Sequence, residues 1–413
     1  MSCHQRRVGL NILYAVLFSV ILIGTAIFLT GCGRTEQTET PDETAERTVE
    51  SETEPTETME TEPAPETETE TETETETETE TETETELILA PLPTESTAET
   101  WTAAPYSMLV RRDRDDGRGD PDELIEKLRL LLTTEKPDRW TYNWAGDLVE
   151  VPATVTYLYH NLATGDTVSY GADVVRYSAS LIKVPYIYSV LREIEDFEAD
   201  PANHGEDGRL LYEGEKHKYN LSEGWKYDPD TMLVEGSGQI MEEDPGFTLT
   251  WRELFEYAIL YSDNVAVDQI QQRFGMKSFY ELAGRLGLKG TNSDFMDLTP
   301  DDCMLILREV YAWFAGESDY AQMMKDTMIH SKYPVMISRH YPDITVCHKY
   351  GWDIDAYHDM AIIYDENPYL LVIMTDYDEG DEVAHDYYAQ LVSVTKEIHG
   401  FYSAEPDAAV DPE

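Results

Sequence analysis

The chain between residues 155 and 183 reads VTYLYHNLATGDTVSYGADVVRYSASLIK, and this stretch sets the pattern from which the fold is predicted. Two β-rich runs, at 155–159 and 167–170, flank the turn-forming residues ATGD at 163–166. Strand-forming runs on either side of such a turn predict an antiparallel hairpin. The apolar spacing over about 180–194 then predicts a helix directly after the hairpin.

The rest of the folded region places strands towards both ends of the sequence and helices between them. A capping residue, a proline and two acids at 120–123 predict the start of a first helix. Further helices are predicted at about 249–261, 264–274, 299–314 and 385–398, and strands at about 344–349, 359–364 and 369–376. This order predicts an α/β fold of the α+β type: an antiparallel sheet flanked by helices, with an inserted all-helical lobe.

The charge of the chain excludes one class of partner. Asp and Glu number 83 against 30 Lys and Arg, which gives a formal net charge of −53. Such a surface repels phosphate backbones, so we expect no nucleic-acid partner. Despite this charge, the chain has enough aromatic and aliphatic residues to bury the core of one large folded unit. We predict that this unit spans residues 101–403 and that a disordered tail follows at 404–413.

The first 32 residues have the pattern of an export signal. Arg6 and Arg7 precede an apolar run from Val8 to Phe28, and Leu29-Thr30-Gly31-Cys32 follows. This ending resembles the lipobox of bacterial lipoproteins, in which the cysteine carries the lipid, so we predict lipidation of Cys32. The protein is then expected on the outer face of the cell membrane. The alternative is an uncleaved membrane-spanning helix, for which the apolar run is long enough.

Residues 33–100 are predicted to form a disordered stalk. They are rich in Glu, Thr and Pro, and Glu alternates with Thr without interruption from Glu66 to Glu86. No core can form there, and like charges at every second residue extend the backbone.

Two cysteines, Cys303 and Cys347, belong to the predicted folded unit. In an exported protein they could form a disulfide, and two buried free thiols fit the sequence equally well. The histidines are scattered without the paired spacing of zinc sites, so we predict no metal and no cofactor.

One short string suggests an activated nucleophile. In Ser180-Leu181-Ile182-Lys183 the spacing of three residues puts a hydroxyl and an ammonium on one helix face. A lysine desolvated among apolar neighbours has a lowered pKa and can take the proton of a serine hydroxyl. The string is weak evidence alone, because a capping serine and a surface lysine give the same letters.

Two more strings add groups of the kind that bind and protonate a substrate. YSDN at 261–264 separates two predicted helices, where a loop can present a hydroxyl and an amide. HKYG at 348–351 ends a predicted strand, where Lys349 supplies positive charge and Gly351 leaves room for a substrate backbone.

In this order the three strings resemble the S-x-x-K, S-D-N and K-T-G motifs of the class A β-lactamases and the wider penicillin-recognising serine hydrolases. The resemblance extends over roughly residues 150–400 and implies the β-lactamase fold, with a cleft between the sheet and the helical lobe. It implies that Ser180 is the acylated nucleophile, that Lys183 is its base or proton relay, and that Ser262 passes the proton to the leaving nitrogen.

The same resemblance assigns the binding groups. Asn264 is expected to bind the substrate amide, and Lys349 to face the substrate carboxylate, beside Gly351. The backbone N–H groups of Ser180 and Trp352 are expected to form the oxyanion hole. Asp263 is expected to hold its loop in place without reacting.

The sequence departs from the family pattern at two places. The E-x-x-L-N loop, whose glutamate activates the water that releases the acyl-enzyme, is missing from the stretch 285–299. Asp294 and Asp297 are possible replacements, but each has a side chain one methylene shorter, so we expect slow deacylation. Tyr350 stands where the family has Thr or Ser, and it is expected either to pack away from the cleft or to line it.

Three classes of function are compatible with the sequence. The first is a β-lactamase-like serine hydrolase that forms an acyl-enzyme on Ser180 with β-lactams or related amides. The second is a cell-wall D,D-peptidase that acts on peptidoglycan stem peptides. The third is a non-catalytic binding protein on the same fold, which the retained Ser180, Lys183 and Lys349 disfavour. We expect a monomer.

Overall fold

The computed structural model describes residues 106–112, 119–142, 147–333, 336–378 and 382–404. All of them belong to one compact unit, Glu84–Glu413. The predicted signal peptide with Cys32, the stalk, and all but the first residue of the tail lie outside the described residues. In the described ranges, no helix combines the length and the apolar character that crossing a membrane requires.

The described residues form twelve strands and nine α-helices. The strands are β1 Met108–Arg111, β2 Asp138–Tyr142, β3 Leu148–Pro152, β4 Val155–Asn161, β5 Thr167–Tyr170, β6 Arg176–Tyr177, β7 Gly224–Lys226, β8 Thr248–Thr250, β9 Asp297–Leu298, β10 Val346–Asp353, β11 Ala356–Ile363 and β12 Tyr369–Thr375. The helices are α1 Asp122–Thr133, α2 Lys183–Ala199, α3 Pro229–Met232, α4 Trp251–Leu260, α5 Asn264–Phe274, α6 Lys277–Leu286, α7 Pro300–Phe314, α8 Asp319–Ile329 and α9 Glu382–Ser403.

Six strands form one antiparallel sheet in the order β1-β5-β4-β12-β11-β10. The hairpin predicted from residues 155–170 is β4 and β5, and β4 pairs with β12 from the other end of the chain, with Tyr159 opposite Leu371. The predicted sheet assembled from the first and last segments is therefore confirmed. Strand β10, which carries HKYG, is an edge strand.

The two faces of the sheet pack against different helices. On one face, Leu158 of β4 and Val372 of β12 join the core of the helical lobe. On the other face, Tyr157 and Ile373 pack with α1 and α9. Because side chains alternate along a strand, each central strand supplies both cores, and every residue of β4 and β12 is buried.

The helical lobe contains the predicted helices α2, α4, α5 and α7, together with α3, α6 and α8, which were not predicted. Helix α4 begins at a capping box in which Thr250 and Glu253 bond to each other's backbone N–H groups. Helix α7 begins at a second capping box, formed by Thr299 and Asp302. The helix predicted from about residue 180 begins as a 3₁₀ turn, Ala179–Ile182, and becomes α-helical at Lys183.

Cys303 and Cys347 are both buried and both free thiols. Of the two possibilities that the sequence left open, the structure has the unpaired one. Burial raises the pKa of each thiol above its usual value, so neither is a reactive thiolate near neutral pH.

Asp302 ties the start of α7 to the segment before it. Its buried carboxylate accepts hydrogen bonds from the backbone N–H groups of Lys289 at 2.8 Å, Gly290 at 2.8 Å and Thr299 at 2.9 Å. Three donors would lose their partner together if this carboxylate were removed.

We therefore predict that Asp302→Ala lowers the free energy of unfolding by about 3 kcal/mol, because buried N–H groups without acceptors are costly. Urea unfolding measures this change. Asp319→Ala is the matched control, since Asp319 is an exposed acid in the first turn of α8 and should cost about 0.5 kcal/mol or less. Equal losses for the two variants would contradict the prediction.

Candidate active site

The predicted nucleophile lies on a tight turn that the neighbouring strand β9 holds in place. Tyr177 of β6 pairs with Asp297 of β9, and the Met296 carbonyl accepts hydrogen bonds from Ser178 N at 2.8 Å and Ser178 Oγ at 2.7 Å. Ala179 then has a φ of 47°, a left-handed conformation that is uncommon for a residue with a side chain. Ser180 follows on the 3₁₀ turn and is partly exposed.

Strand β10 packs directly against this turn at Gly351. A Cβ atom on Gly351 would lie 2.7 Å from the Ser178 carbonyl oxygen and 3.1 Å from the backbone nitrogens of Ser180 and Leu181. The space beside the Gly351 Cα is therefore filled by the turn that carries Ser180. The predicted role of Gly351, to let a substrate backbone lie against the strand edge, stays a prediction.

The same contact brings together the two predicted oxyanion-hole residues. Ser180 N lies beside Gly351, and Trp352 directly follows Gly351 on β10. The close approach therefore places the backbones of Ser180 and of Trp352 at one end of the edge strand.

Lys183 is buried between the nucleophile turn and the second motif, with 5% of its surface exposed. Its ammonium donates hydrogen bonds to the Ser262 carbonyl, to Ser262 Oγ at 3.3 Å and to Asn264 Oδ1 at 2.6 Å. Burial lowers the pKa of Lys183 to about 7, and the charge of Asp263 opposes that shift. An amine with its pKa lowered in this way can be neutral near pH 7 and accept a proton.

The SDN loop is held by a glycine-containing segment that precedes it in the sequence. The Asp263 carboxylate accepts hydrogen bonds from the backbone N–H groups of Gln239, Ile240 and Ala266. A Cβ atom on Gly238, whose φ is 134°, would lie 2.4 Å from Asp263 Oδ2. The prediction that Asp263 holds its loop is confirmed.

Ser262 and Asn264 flank this anchoring residue and point to Lys183. Ser262 is fully buried and has a φ of 54°. Non-glycine residues with positive φ persist where surrounding contacts compensate the strain, and such positions cluster at functional sites. Asn264 is oriented from both ends of its amide, because Nδ2 donates to the Glu235 carbonyl at 3.0 Å while Oδ1 accepts from Lys183.

Lys349 is fully buried, and its ammonium is directed to the neighbouring residue. It donates a hydrogen bond to the Tyr350 carbonyl at 2.8 Å and lies 3.7 Å from the centre of the Tyr350 ring. Burial and then repulsion from Lys183 hold the pKa of Lys349 well below its usual value. Its role in facing a substrate carboxylate stays a prediction.

Tyr350 is a buried packing residue, which decides between the two alternatives for this position. It shares the core of α1 and α9 with Val346, whereas Cys347 belongs to the core of the helical lobe. Its ring contacts Trp352 at 5.3 Å and Tyr333 at 5.7 Å between centroids. No part of Tyr350 is exposed to a cleft.

His358 contributes to the site without being among the site residues predicted from the sequence. Its Nδ1 accepts a hydrogen bond from Thr375 N at 3.0 Å, which leaves the proton on Nε2 to be donated to the Tyr177 carbonyl at 2.8 Å. Burial lowers the pKa of His358 to about 3, so the ring is neutral. It fixes β6, and hence the turn with Ser180, to the central sheet.

Neither candidate replacement for the missing glutamate is placed as a clear base. Asp294 is exposed, and its Oδ1 accepts a hydrogen bond from Met296 N at 3.0 Å in its own loop. Asp297 lies in β9, opposite Tyr177. The described residues include no group of three or more His, Cys, Asp or Glu side chains that could hold a metal ion.

These positions have the order and spatial grouping of a known family of enzymes. The sequence profile of the β-lactamase enzyme family matches residues 147–204 and 209–398, which is more than half of the chain. The chain belongs to the β-lactamase enzyme family. The match covers all three motifs, including Ser180, Ser262 and Lys349.

Solved structures support the same fold for this β-lactamase-family protein. PBP-A matches with a TM-score of 0.53 and 16% identity, over 72% of this chain and 100% of PBP-A. A β-lactamase from Sphaerobacter thermophilus matches with a TM-score of 0.53 and 16% identity, over 68% of this chain and 99% of that one. A mutant of PBP-A, in an acyl-enzyme complex with penicillin G, gives a TM-score of 0.52 and 17% identity over 71% and 100% of the two chains. No curated protein sequence matches the chain.

Because Gly351 packs against the turn that carries Ser180, one added methyl group at this position should strongly change the rate at which Ser180 reacts. With Ser180 in the nucleophile role predicted from the sequence, Gly351→Ala should slow its acylation about 100-fold, because a shift of the order of 1 Å in the reacting groups has a cost of that size. The measurement is the rate of covalent labelling by a penicillin, with melting curves to establish the folded fraction.

Gly400→Ala is the matched control for this variant, since a Cβ atom on Gly400 of α9 meets nothing within 4 Å. It should label at the wild-type rate. A folded Gly351→Ala variant that also labels at the wild-type rate would show that the contact does not position Ser180.

Proposed function

We propose that this protein is an acyl-enzyme-forming serine hydrolase in which Ser180 attacks β-lactams or related amides. The observation that carries the proposal is the environment of Lys183. Its amine is buried, has a pKa of about 7, and is bonded to Ser262 and Asn264 three residues after a partly exposed serine. A buried lysine whose pKa lies near neutrality is the kind of base that activates a serine nucleophile.

In the proposed acylation, Ser180 Oγ attacks the substrate carbonyl while neutral Lys183 takes the hydroxyl proton. The Ser180 and Trp352 N–H groups stabilise the oxyanion. The proton passes from Lys183 through Ser262 Oγ to the leaving nitrogen as the C–N bond breaks. Asn264, already oriented by Glu235 and Lys183, binds the substrate amide.

We propose further that the acyl-enzyme is released slowly. The segment 289–298 contains no glutamate, and Asp294 is bonded within its own turn. Water attack on the ester requires a base within about 2.6–3.2 Å or one water away. Because Asp294 is bonded within its own turn and Asp297 belongs to β9, opposite Tyr177, we expect hydrolysis to lag behind acylation.

Slow release also supports a second candidate, a D,D-peptidase that acts on peptidoglycan stem peptides. The missing glutamate is the observation that favours it, and the structural similarity to PBP-A is compatible with it. The export signal, lipidation at Cys32 and acidic stalk proposed from the sequence would hold either enzyme on the outer face of the membrane, where cell-wall peptides occur.

Intact-mass spectrometry of the purified protein after addition of penicillin G tests these proposals. We expect a covalent adduct on the wild type and none on Ser180→Ala. An adduct that persists for hours supports slow release and the peptidase alternative, whereas decay within seconds identifies a working β-lactamase. If the wild type forms no adduct at any time, acyl-enzyme formation with β-lactams is wrong.

The pKa of Lys183 predicts how acylation depends on pH. Because only the neutral amine accepts a proton, the rate should rise about tenfold per pH unit below pH 7 and level off above it. Labelling rates between pH 5 and pH 9 measure this profile. Lys183→Arg should abolish labelling, because a guanidinium stays protonated throughout this range. A rate that is independent of pH in the wild type would exclude Lys183 as the base.

A further inference from the structure

Four basic side chains meet where the 3₁₀ turn Ser338–His340 lies against helix α9. They are Arg339 and His340 of the turn and His385 and Lys396 of the helix, and we call them the basic cluster. Arg339 Nη1 lies 3.1 Å from His385 Nδ1, and the Lys396 ammonium donates a hydrogen bond to the His340 carbonyl. None of the four belongs to the three motifs.

The two histidines of the basic cluster have ring nitrogens that are free to bind a ligand. His385 Nδ1 lies within hydrogen-bond distance of Arg339 Nη1 and, at 3.2 Å, of the Tyr357 hydroxyl. A guanidinium can only donate, so Nδ1 accepts and the ring proton is on Nε2. In the part of the chain that the structure describes, this Nε2–H has no acceptor. Nε2 of His340 is buried and has no hydrogen-bond partner there either.

No acid neutralises the two cations of the basic cluster. Neither Arg339 nor Lys396 forms an ion pair with any carboxylate that the structure describes. Glu397, which follows Lys396 in the sequence, pairs with Lys127 at 2.8 Å instead. Burial, and then repulsion from Arg339 and Lys396, lower the pKa of His340. In a chain with 83 acids and 30 Lys and Arg, two neighbouring cations without an acid indicate a site for an external anion.

The charge and the donors of the basic cluster match a phosphate better than a carboxylate. Arg339 keeps N–H groups beyond the one directed to His385, and Lys396 keeps two beyond the one given to His340. A phosphate has a charge close to −2 and at least three acceptor oxygens, two of which one guanidinium can bind at once. A carboxylate has one charge and two oxygens, so it would leave part of the cluster unmatched.

We propose that the basic cluster binds a small phosphate dianion. A long phosphate polymer or an anionic membrane would meet the negative charge of the whole chain, −53, and be repelled. A small anion in contact with Arg339 and Lys396 is affected mainly by charges within the Debye length, about 8 Å at physiological ionic strength. The proposal is independent of the acyl-enzyme function.

Isothermal titration of the purified protein with inorganic phosphate tests the proposal, at pH 8 and at an ionic strength held constant with NaCl. We expect saturable binding at one site in the wild type, and about tenfold weaker binding in Arg339→Met and in Lys396→Met, since each loses a charge-assisted contact. Arg339→Lys should weaken binding about threefold, because it keeps the charge and loses the paired hydrogen bonds. Both side chains are exposed, so the variants should fold, and melting curves without phosphate check this.

Lys277→Met is the matched control for net charge, because Lys277 is 85% exposed on α6, and it should bind phosphate as the wild type does. The absence of saturable binding in the wild type would overturn the proposal. Equal affinity in the wild type and in folded Arg339→Met and Lys396→Met would overturn it too, since the anion then binds elsewhere.

Sedimentation with phosphatidylglycerol vesicles separates a small phosphate from a lipid headgroup. We expect the protein, prepared from Gly33 onward so that it carries no lipid, to remain in solution. Vesicle binding that Arg339→Met and Lys396→Met abolish, without binding of inorganic phosphate, would show that the cluster takes a lipid headgroup and that the small-phosphate proposal is wrong.

Discussion

The backbone contact between Gly351 and the turn Ser178–Leu181 is the constraint on which the site depends. The contact exists because glycine has no side chain. The edge strand β10 can therefore approach the turn more closely than a residue with a Cβ atom would allow. The turn is also held from behind, by the Met296 carbonyl and by His358. Ser180 is therefore positioned by three separate parts of the chain, and the unusual φ of Ala179 is maintained by these contacts rather than by local preference.

Burial of two lysines is the second constraint on the site. Lys183 is 5% exposed and Lys349 is 0% exposed, and a buried ammonium is costly unless its pKa falls or acceptors surround it. The structure uses both solutions. Lys183 has three oxygen acceptors supplied by Ser262 and Asn264, and Lys349 has the Tyr350 carbonyl and ring. The anchored Asp263 loop keeps the first set of acceptors in place.

The sequence predicts the features that local patterns control. Turn residues and strand-forming runs predict β4 and β5, and the apolar spacing after them predicts the helix that carries Lys183. The role of His358 could not be predicted in this way, since it depends on a partner as distant in the sequence as Tyr177. The sequence did not decide which face of the sheet Tyr350 occupies, because that depends on the register of β10 in the folded sheet. Helices α3, α6 and α8 were not predicted.

The same tertiary constraints explain why the segment 289–298 cannot easily supply a deacylating base. Asp302 holds its start through the N–H groups of Lys289 and Gly290, and β9 holds its end against β6. Gly290 packs so closely on Asp297 that a Cβ atom would lie 2.5 Å from the Asp297 carbonyl oxygen. Between these fixed ends, Asp294 accepts a hydrogen bond from Met296 N within its own turn. The slow release that we propose then follows from two features of one segment: it contains no glutamate, and its residue Met296 anchors the turn that carries Ser180.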